Sequence, residues 1–318
     1  MATPKKTKAP VEYSVCGIPL VEVPRRKFLC GKTPVTRAQW ARVMGTDAPS
    51  EADANLPMDG LSGADCWRFV EKLNATPEAA QLGVTFAIPT IDDWKFACLG
   101  SKKVTAPILD CGWFSQNSED ELHPVAQKTA NGYGLYDFAG SVAELCSDGK
   151  GHGGDYRTDP VHYGPGVNGA SLWAGCSSFG FRVFGFRNMV GNWWDWISKE
   201  LWVLIFNDLP TVADKCERWH LFESRDWAQI LSEQPSLAEH CAWGELEWDD
   251  WCHLLAEQPQ FADKCHKWAE FRNYPLISLL RAQPQFADRC NLSSLDDGDW
   301  EVILRDQPSL AAMKSEMG

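Results

Sequence analysis

Five evenly spaced dipeptides near the C-terminus restrict this chain more than any other feature. Gln234-Pro235, Gln258-Pro259, Gln283-Pro284 and Gln307-Pro308 stand 24, 25 and 24 residues apart, and Leu209-Pro210 extends the series backward by 25. Seven residues before each Gln or Leu sits a large apolar side chain: Trp202, Trp227, Trp251, Leu276 and Trp300. Four and three before it lie Ile205/Phe206, Ile230/Leu231, Leu254/Leu255, Leu279/Leu280 and Ile303/Leu304. Such offsets place one apolar stripe on a helix. After each proline come Val212, Leu237, Phe261, Phe286 or Leu310, each followed by Ala. Cys216, Cys241, Cys265 and Cys290 close four of the five units.

The repeating unit therefore reads as two short helices. Proline suits the first turn of the second, where its missing N–H would find no partner anyway. Asp226, Asp250 and Asp299 precede the tryptophans and read as N-caps. Helices this short do not persist alone, and stacking joins their stripes into one spine. Residues 201–318 thus predict an all-α solenoid of five two-helix repeats. Met313, Lys314 and Glu316 in the fifth unit look like an end cap. Stacked arrays commonly present a concave surface to proteins, so a protein-interaction or orienting role is expected, with a plain stabilising scaffold as the alternative. The pattern resembles bacterial repeat tails reading W-x-x-L-L-x-x-Q-P-x-F-A-D-K-C.

At 318 residues the chain has room for a second domain. A formal net charge of −13 argues against a nucleic-acid partner, which would call for a basic face. Lys5, Lys6 and Lys8 form the one basic run, and residues 1–12 read as a disordered tail. No apolar leader and no membrane-spanning apolar run is visible, so no membrane insertion and a cytoplasmic location are expected. Twelve cysteines with no CxxC spacing read as free thiols in a reducing compartment.

Residues 13–187 form a separate α+β domain in this reading, followed by a Trp-rich junction at 188–200. Thr36-x-x-Gln39 is a capping box opening a helix over Arg37–Met44, with Gly45 as its stop. Ser62-x-x-Asp65 opens Ala64–Leu73, whose apolar face is Cys66, Phe69, Val70 and Leu73. Thr90 caps a third helix carrying Trp94 and Phe96. Turns dominate elsewhere. Phe186, Trp193, Trp194 and Trp196 predict that Phe184–Trp196 packs rather than hangs free.

Six ordered motifs over roughly residues 25–184 carry a family resemblance. They are Thr33-Pro34-Val35-Thr36-Arg37-Ala38-Gln39-Trp40; Ile88-Pro89-Thr90-Ile91-Asp92-Asp93-Trp94; His123-Pro124-Val125; Asn131-Gly132-Tyr133-Gly134-Leu135-Tyr136-Asp137; Gly140-Ser141-Val142-Ala143-Glu144; and Gly153-Gly154 with Gly180-Phe181-Arg182-Val183. Together they resemble the formylglycine-generating enzyme, or sulfatase-modifying factor, family. The resemblance implies a C-type-lectin-like fold of the sulfatase-modifying subtype, and a family that holds both enzymes and binding proteins. Three departures stand out. The opening hairpin is cut down to Val11–Phe28. Ser141 and Ala143 replace the usual Asn and Trp. Where oxidising members place a pair of copper-binding cysteines, this chain aligns Thr158 and Tyr163, and Cys176 stands alone and too late. Soft thiolates suit Cu(I), so no copper is expected.

The resemblance also implies an ion at the Tyr-Asp element. Asp137 and Glu144 would give carboxylate oxygens, and Gly140 and Val142 backbone carbonyls, a hard set suited to a structural Ca²⁺. The alternative is that the two acids pair with Arg or cap turns.

Residues 155–178 contain no Lys, Glu, Gln or Met and are rich in Tyr, Ser, Gly, Asn and Asp. That composition resembles an antibody paratope, with rigid aromatics as anchors. It also resembles the variable region of retroelement-diversified proteins built on the same lectin-like fold. The expected ligand-binding residues are Asp155, Tyr156, Arg157, His162, Tyr163, Asn168 and Trp173, facing protein ligands, and no catalytic residue is assigned. A formylglycine-generating-type or nonheme-metal oxidoreductase is the alternative.

Overall fold

Alternation sets the first sheet. In Ile18–Val23 the residues Ile18, Leu20 and Val23 turn inward while Pro19 and Glu22 face out. A computed structural model describes residues 13–100, 106–162, 179–189 and 191–317. It divides into two compact units, Met1–Ile205 and Phe206–Gly318.

In the first unit, β1 (Tyr13–Val15), β2 (Ile18–Val23), β3 (Phe28–Gly31) and β4 (Thr85–Ala87) join β10 (Phe184–Phe186) in an antiparallel sheet of order β1-β2-β3-β10-β4. The late strand β10 lies between β3 and β4, pairing Phe184 with both Cys30 and Ala87. Two small ladders complete the strands. β5 (Gly112–Trp113) runs parallel to β6 (Ala139–Gly140), and β7 (Ala143–Leu145) lies between β8 (Gly151–His152) and β9 (Phe179–Gly180). A Cβ on Gly112 or Gly140 would run into the facing backbone carbonyl, so only glycines let the first of these ladders close.

Helices α1 (Arg37–Met44), α2 (Gly63–Asn74) and α4 (Ile91–Leu99) start where their caps place them. The Thr36, Ser62 and Thr90 side chains accept from the N–H groups of Gln39, Asp65 and Asp93. Gly45 stops α1 in the left-handed region at φ 72°. Two short helices were not foreseen: α3 (Pro77–Leu82), capped by Thr76, and α5 (Ile108–Cys111). The core beneath the sheet gathers Val23, Phe28, Trp94, Leu135, Phe138 and Phe184. The Trp-rich segment packs within this unit, with Trp193 and Trp194 centred 4.5 and 6.0 Å from buried Trp67.

The boundary between the units falls inside α6 (Lys199–Asp208). The second unit contains α7 (Ser224–Glu233), α8 (Trp248–Glu257), α9 (Asn273–Ala282), α10 (Asp297–Asp306) and the terminal α11 (Ala311–Met317). The stripe residues Trp227, Trp251, Leu276 and Trp300 are buried as expected. Two expectations are corrected. The element after each proline is a six-residue 3₁₀ helix in the first four repeats, as over Pro235–His240, and a second, three-residue 3₁₀ turn follows, as at Trp243–Glu245. The aspartates before the tryptophans sit at the third helical position rather than at the cap. Glu223 and Asp296 are the N-caps, and Asp226 and Asp299 reach back to their N–H groups. Asp250, three residues past the Glu247 cap of α8, accepts from Ser224 Oγ.

The recurring glutamines share one task. Gln234, Gln258, Gln283 and Gln307 each donate Nε2 to the carbonyl of Asn207, Ser232, Ala256 and Arg281 at 2.6, 2.5, 2.9 and 2.6 Å. Each acceptor is the penultimate residue of the preceding α-helix. As one of the last four carbonyls of its helix it has no intrahelical N–H, and the next repeat's amide supplies one.

Candidate recognition site

The three-stranded ladder β8-β7-β9 carries the flanks of segment 155–178. Its centre is Glu144, on β7, buried to 1% exposure. Arg182 Nε lies 3.1 and 3.0 Å from the two carboxylate oxygens, and Nη2 lies 2.6 Å from Oε1. The same guanidinium donates to the carbonyls of Gly31 and Tyr136, and Trp94 Nε1 donates to Glu144 Oε2 at 2.7 Å. Burial works against the Arg182 charge, but Glu144 outweighs it and holds the guanidinium pKa up. Across the ladder from Glu144, His152 bonds Asp148 through Nε2 at 3.0 Å. Burial raises the Asp148 carboxyl, but His152 and Lys150 overcome it, and its pKa ends below the ordinary value.

Next to this network the 137–141 loop is tightly folded. Asp137 and Ser141 both lie in the left-handed region, at φ 59° and 64°. Asp137 Oδ2 accepts from Ala126 N–H, while Asp137 Oδ1 and Ser141 Oγ, both buried, have no partner among the described residues. Burial pushes the Asp137 carboxyl up, and the Ala126 N–H and Arg182 offset only part of it.

As for the expected ion ligands, Glu144 has taken the Arg-pairing alternative. An ion there would have to compete with a buried guanidinium already 2.6 Å away. Only Asp137 keeps a carboxylate oxygen open, and the quartet Asp137, Gly140, Val142 and Glu144 does not fit a calcium ion as a set. Among the described residues no group of three His, Cys, Asp or Glu side chains is placed to hold a metal.

Of the expected ligand-binding residues, Tyr163, Asn168 and Trp173 lie outside the described residues, as does the tail 1–12. His162 ends a 3₁₀ turn over Pro160–His162. Asp155 organises a tight turn, accepting from Arg157 N–H and Thr158 Oγ. Arg157 is exposed and donates to Asp120 at 2.9 Å. Tyr156 departs from the expectation: it is buried, with the Arg157 guanidinium 4.8 Å over its ring, so it supports the segment from below. An aromatic in a paratope-like composition reads as a surface anchor, and only the tertiary packing distinguishes the two.

Sequence reasoning missed the Trp113 cluster. Ser118 Oγ donates to the Tyr156 carbonyl, His123 Nε2 donates to the Ser118 carbonyl, and the His123 ring stacks on Trp113 at 3.8 Å. Lys128 Nζ stands 3.6 Å from the centre of the Trp113 ring. His123 lay within a family motif, but nothing in the sequence linked it to Trp113.

Comparison with known proteins places this architecture. The profile of the sulfatase-modifying factor enzyme 1-like domain matches residues 6–166, which is 161 of 318 positions. The chain belongs to that family. Its first unit has the C-type-lectin-like fold expected of the sulfatase-modifying subtype, and helical repeats with Pro and Trp periodicity follow. Among solved structures, Treponema denticola variable protein 1 is 20% identical over 56% of this chain and 99% of its own, with a TM-score of 0.44. A protein called CarF is 19% identical over 49% of this chain and 85% of its own, with a TM-score of 0.38. PvdO from Pseudomonas aeruginosa is 14% identical over 56% and 99%, with a TM-score of 0.40. No curated protein sequence matches the chain. Among the described residues no helix is long and apolar enough to cross a membrane.

Proposed function

We propose that this chain is a non-enzymatic binding protein. Segment 155–178 of the lectin-like unit is its recognition face for a protein ligand, and the repeats are a protein-interaction or orienting array. One observation carries the reading. The strands that bound the segment are fixed by a saturated buried network, Arg182–Glu144–Trp94, while the segment itself is rich in small polar and aromatic residues. A rigid platform flanking a segment of this composition is what a recognition surface requires. The composition of the segment further favours diversification by a retroelement, which would show as a near-identical template copy of these codons beside the gene.

The chemistry of the oxidising relatives has little footing in the described residues. Thr158, at one of the aligned cysteine positions, has its hydroxyl bonded to Asp155. Cys30 and Cys146, beside the buried network, are held protonated by burial. Family membership is what keeps an oxidoreductase as the second reading, since the family includes enzymes. Copper analysis of the purified chain, with oxygen uptake in the presence of a cysteine-containing peptide, separates the two. Neither stoichiometric copper nor uptake is expected, and either would reverse the order.

A further inference from the structure

The Trp113 indole lies at the edge of the segment's base. Ser141 N–H donates to the Trp113 carbonyl, Tyr156 N–H to the Ser141 carbonyl, and Ser115 N–H to the Thr158 carbonyl. Strand β5 is thus tied directly to the start of the recognition segment. The indole itself is fixed from one side, by His123 stacked at 3.8 Å and 17° and held through Ser118. A cation, Lys128 Nζ, also stands over the ring, 3.6 Å from its centre. Among the described residues Lys128 forms no ion pair, and the Trp113 ring is the contact its ammonium makes. Glu119, Asp120 and Glu121 lie exposed on the turn that His123 caps, with one base, Arg157, bonded to Asp120. A half-buried indole held in place, with an ammonium on its face and acids exposed on the turn to which His123 is bonded, has the features that recognise an alkylammonium or guanidinium group.

We propose that Trp113 is a cation-binding platform that Lys128 occupies in cis, and that a lysine or arginine side chain of the protein ligand takes its place on binding. This rests on the reading of the chain as a binding protein and names the ligand chemistry at one edge of that site. Lys128 then acts as a built-in competitor. It keeps the indole covered when no ligand is bound and lowers affinity for any basic segment that reaches the ring.

The test uses the full chain and a fluorescent oligolysine peptide, with oligoglutamate as the sign control. Lys128→Ala should tighten oligolysine binding by about 2- to 5-fold, the span of one exposed cation–π contact. Lys264→Ala, which removes the same charge from the repeats, measures the part due to net charge and should give much less. In the Lys128→Ala background, Trp113→Leu should abolish the gain and Trp113→Phe keep part of it. Should these ring variants fold poorly, the indole N–H resonance of Trp113 in Lys128→Ala should shift on titration with oligolysine. Unchanged or weaker binding in Lys128→Ala, a gain equal to that of Lys264→Ala, or a still indole resonance overturns the platform. If partner capture still depends on segment 155–178 while Lys128 has no effect, the platform alone falls.

Discussion

Arg182 and Glu144 meet as a two-point ion pair, Nη2 to Oε1 at 2.6 Å and Nε to Oε2 at 3.0 Å, with neither side chain more than 1% exposed. Removing one partner strands a buried charge. Arg182→Ala should therefore cost about 3–5 kcal/mol in urea unfolding. Replacing both partners with apolar side chains, Arg182→Met with Glu144→Leu, should cost less than the single change. A larger loss in the double variant would contradict the charge argument.

Asp137 gives a pH test with a definite sign. Its folded pKa is raised by burial, so the unfolded carboxyl ionises at lower pH, at about 3.9. Ionisation therefore opposes folding at neutral pH, and this cost fades as pH falls from the folded pKa toward the unfolded one. Asp137→Asn should raise the urea midpoint at pH 7, and the advantage should vanish near pH 4. If a calcium ion used Asp137 instead, the substitution would lower stability at pH 7 and erase a chelator-sensitive shift in Tm.

The glutamine ladder predicts a cost at every rung. Gln258→Leu leaves the Ser232 carbonyl without its amide donor and should cost about 1–3 kcal/mol. Hydrogen exchange should quicken in the flanking helices α7 and α8 first. An equal change throughout the chain would mean that the amide acts globally and not between neighbouring repeats.

The repeat thiols should be slow to react. Burial pushes Cys216 and Cys265 up to about 11, and Cys241 and Cys290 up to about 12. At pH 8 almost none of each is thiolate, the reactive form. In native protein these four should label with a disulfide reagent at least tenfold more slowly than in urea, as peptide mapping would show.

Much of the fold was legible because its signals are local. Thr36, Ser62 and Thr90 announced three helix starts within four residues of each, and the Gln-Pro period gave the repeats. Thr76-Pro77-Glu78 is a comparable local signal for α3. The second 3₁₀ turn of each repeat was hidden because its tryptophans, Trp219, Trp243 and Trp268, shift by one residue against the prolines. The site was less legible. Arg182 and Glu144 lie 38 residues apart, and Lys128 and Trp113 meet through a loop held by Thr129 N–H on Asp110 and Val125 N–H on Asn55. No spacing rule reports such contacts. Tyr156 shows the converse limit, since composition identified its segment but not which side of the backbone it would occupy.

The central claim is that segment 155–178 binds a protein. Its most direct measurement compares proteins cross-linked to the wild-type chain with those cross-linked to a variant carrying Asp155→Ala, Arg157→Ala, Tyr163→Ala and Trp173→Ala, matched for Tm. A partner captured by the wild type and lost by the variant is the expected result. Identical capture by the two chains would contradict it.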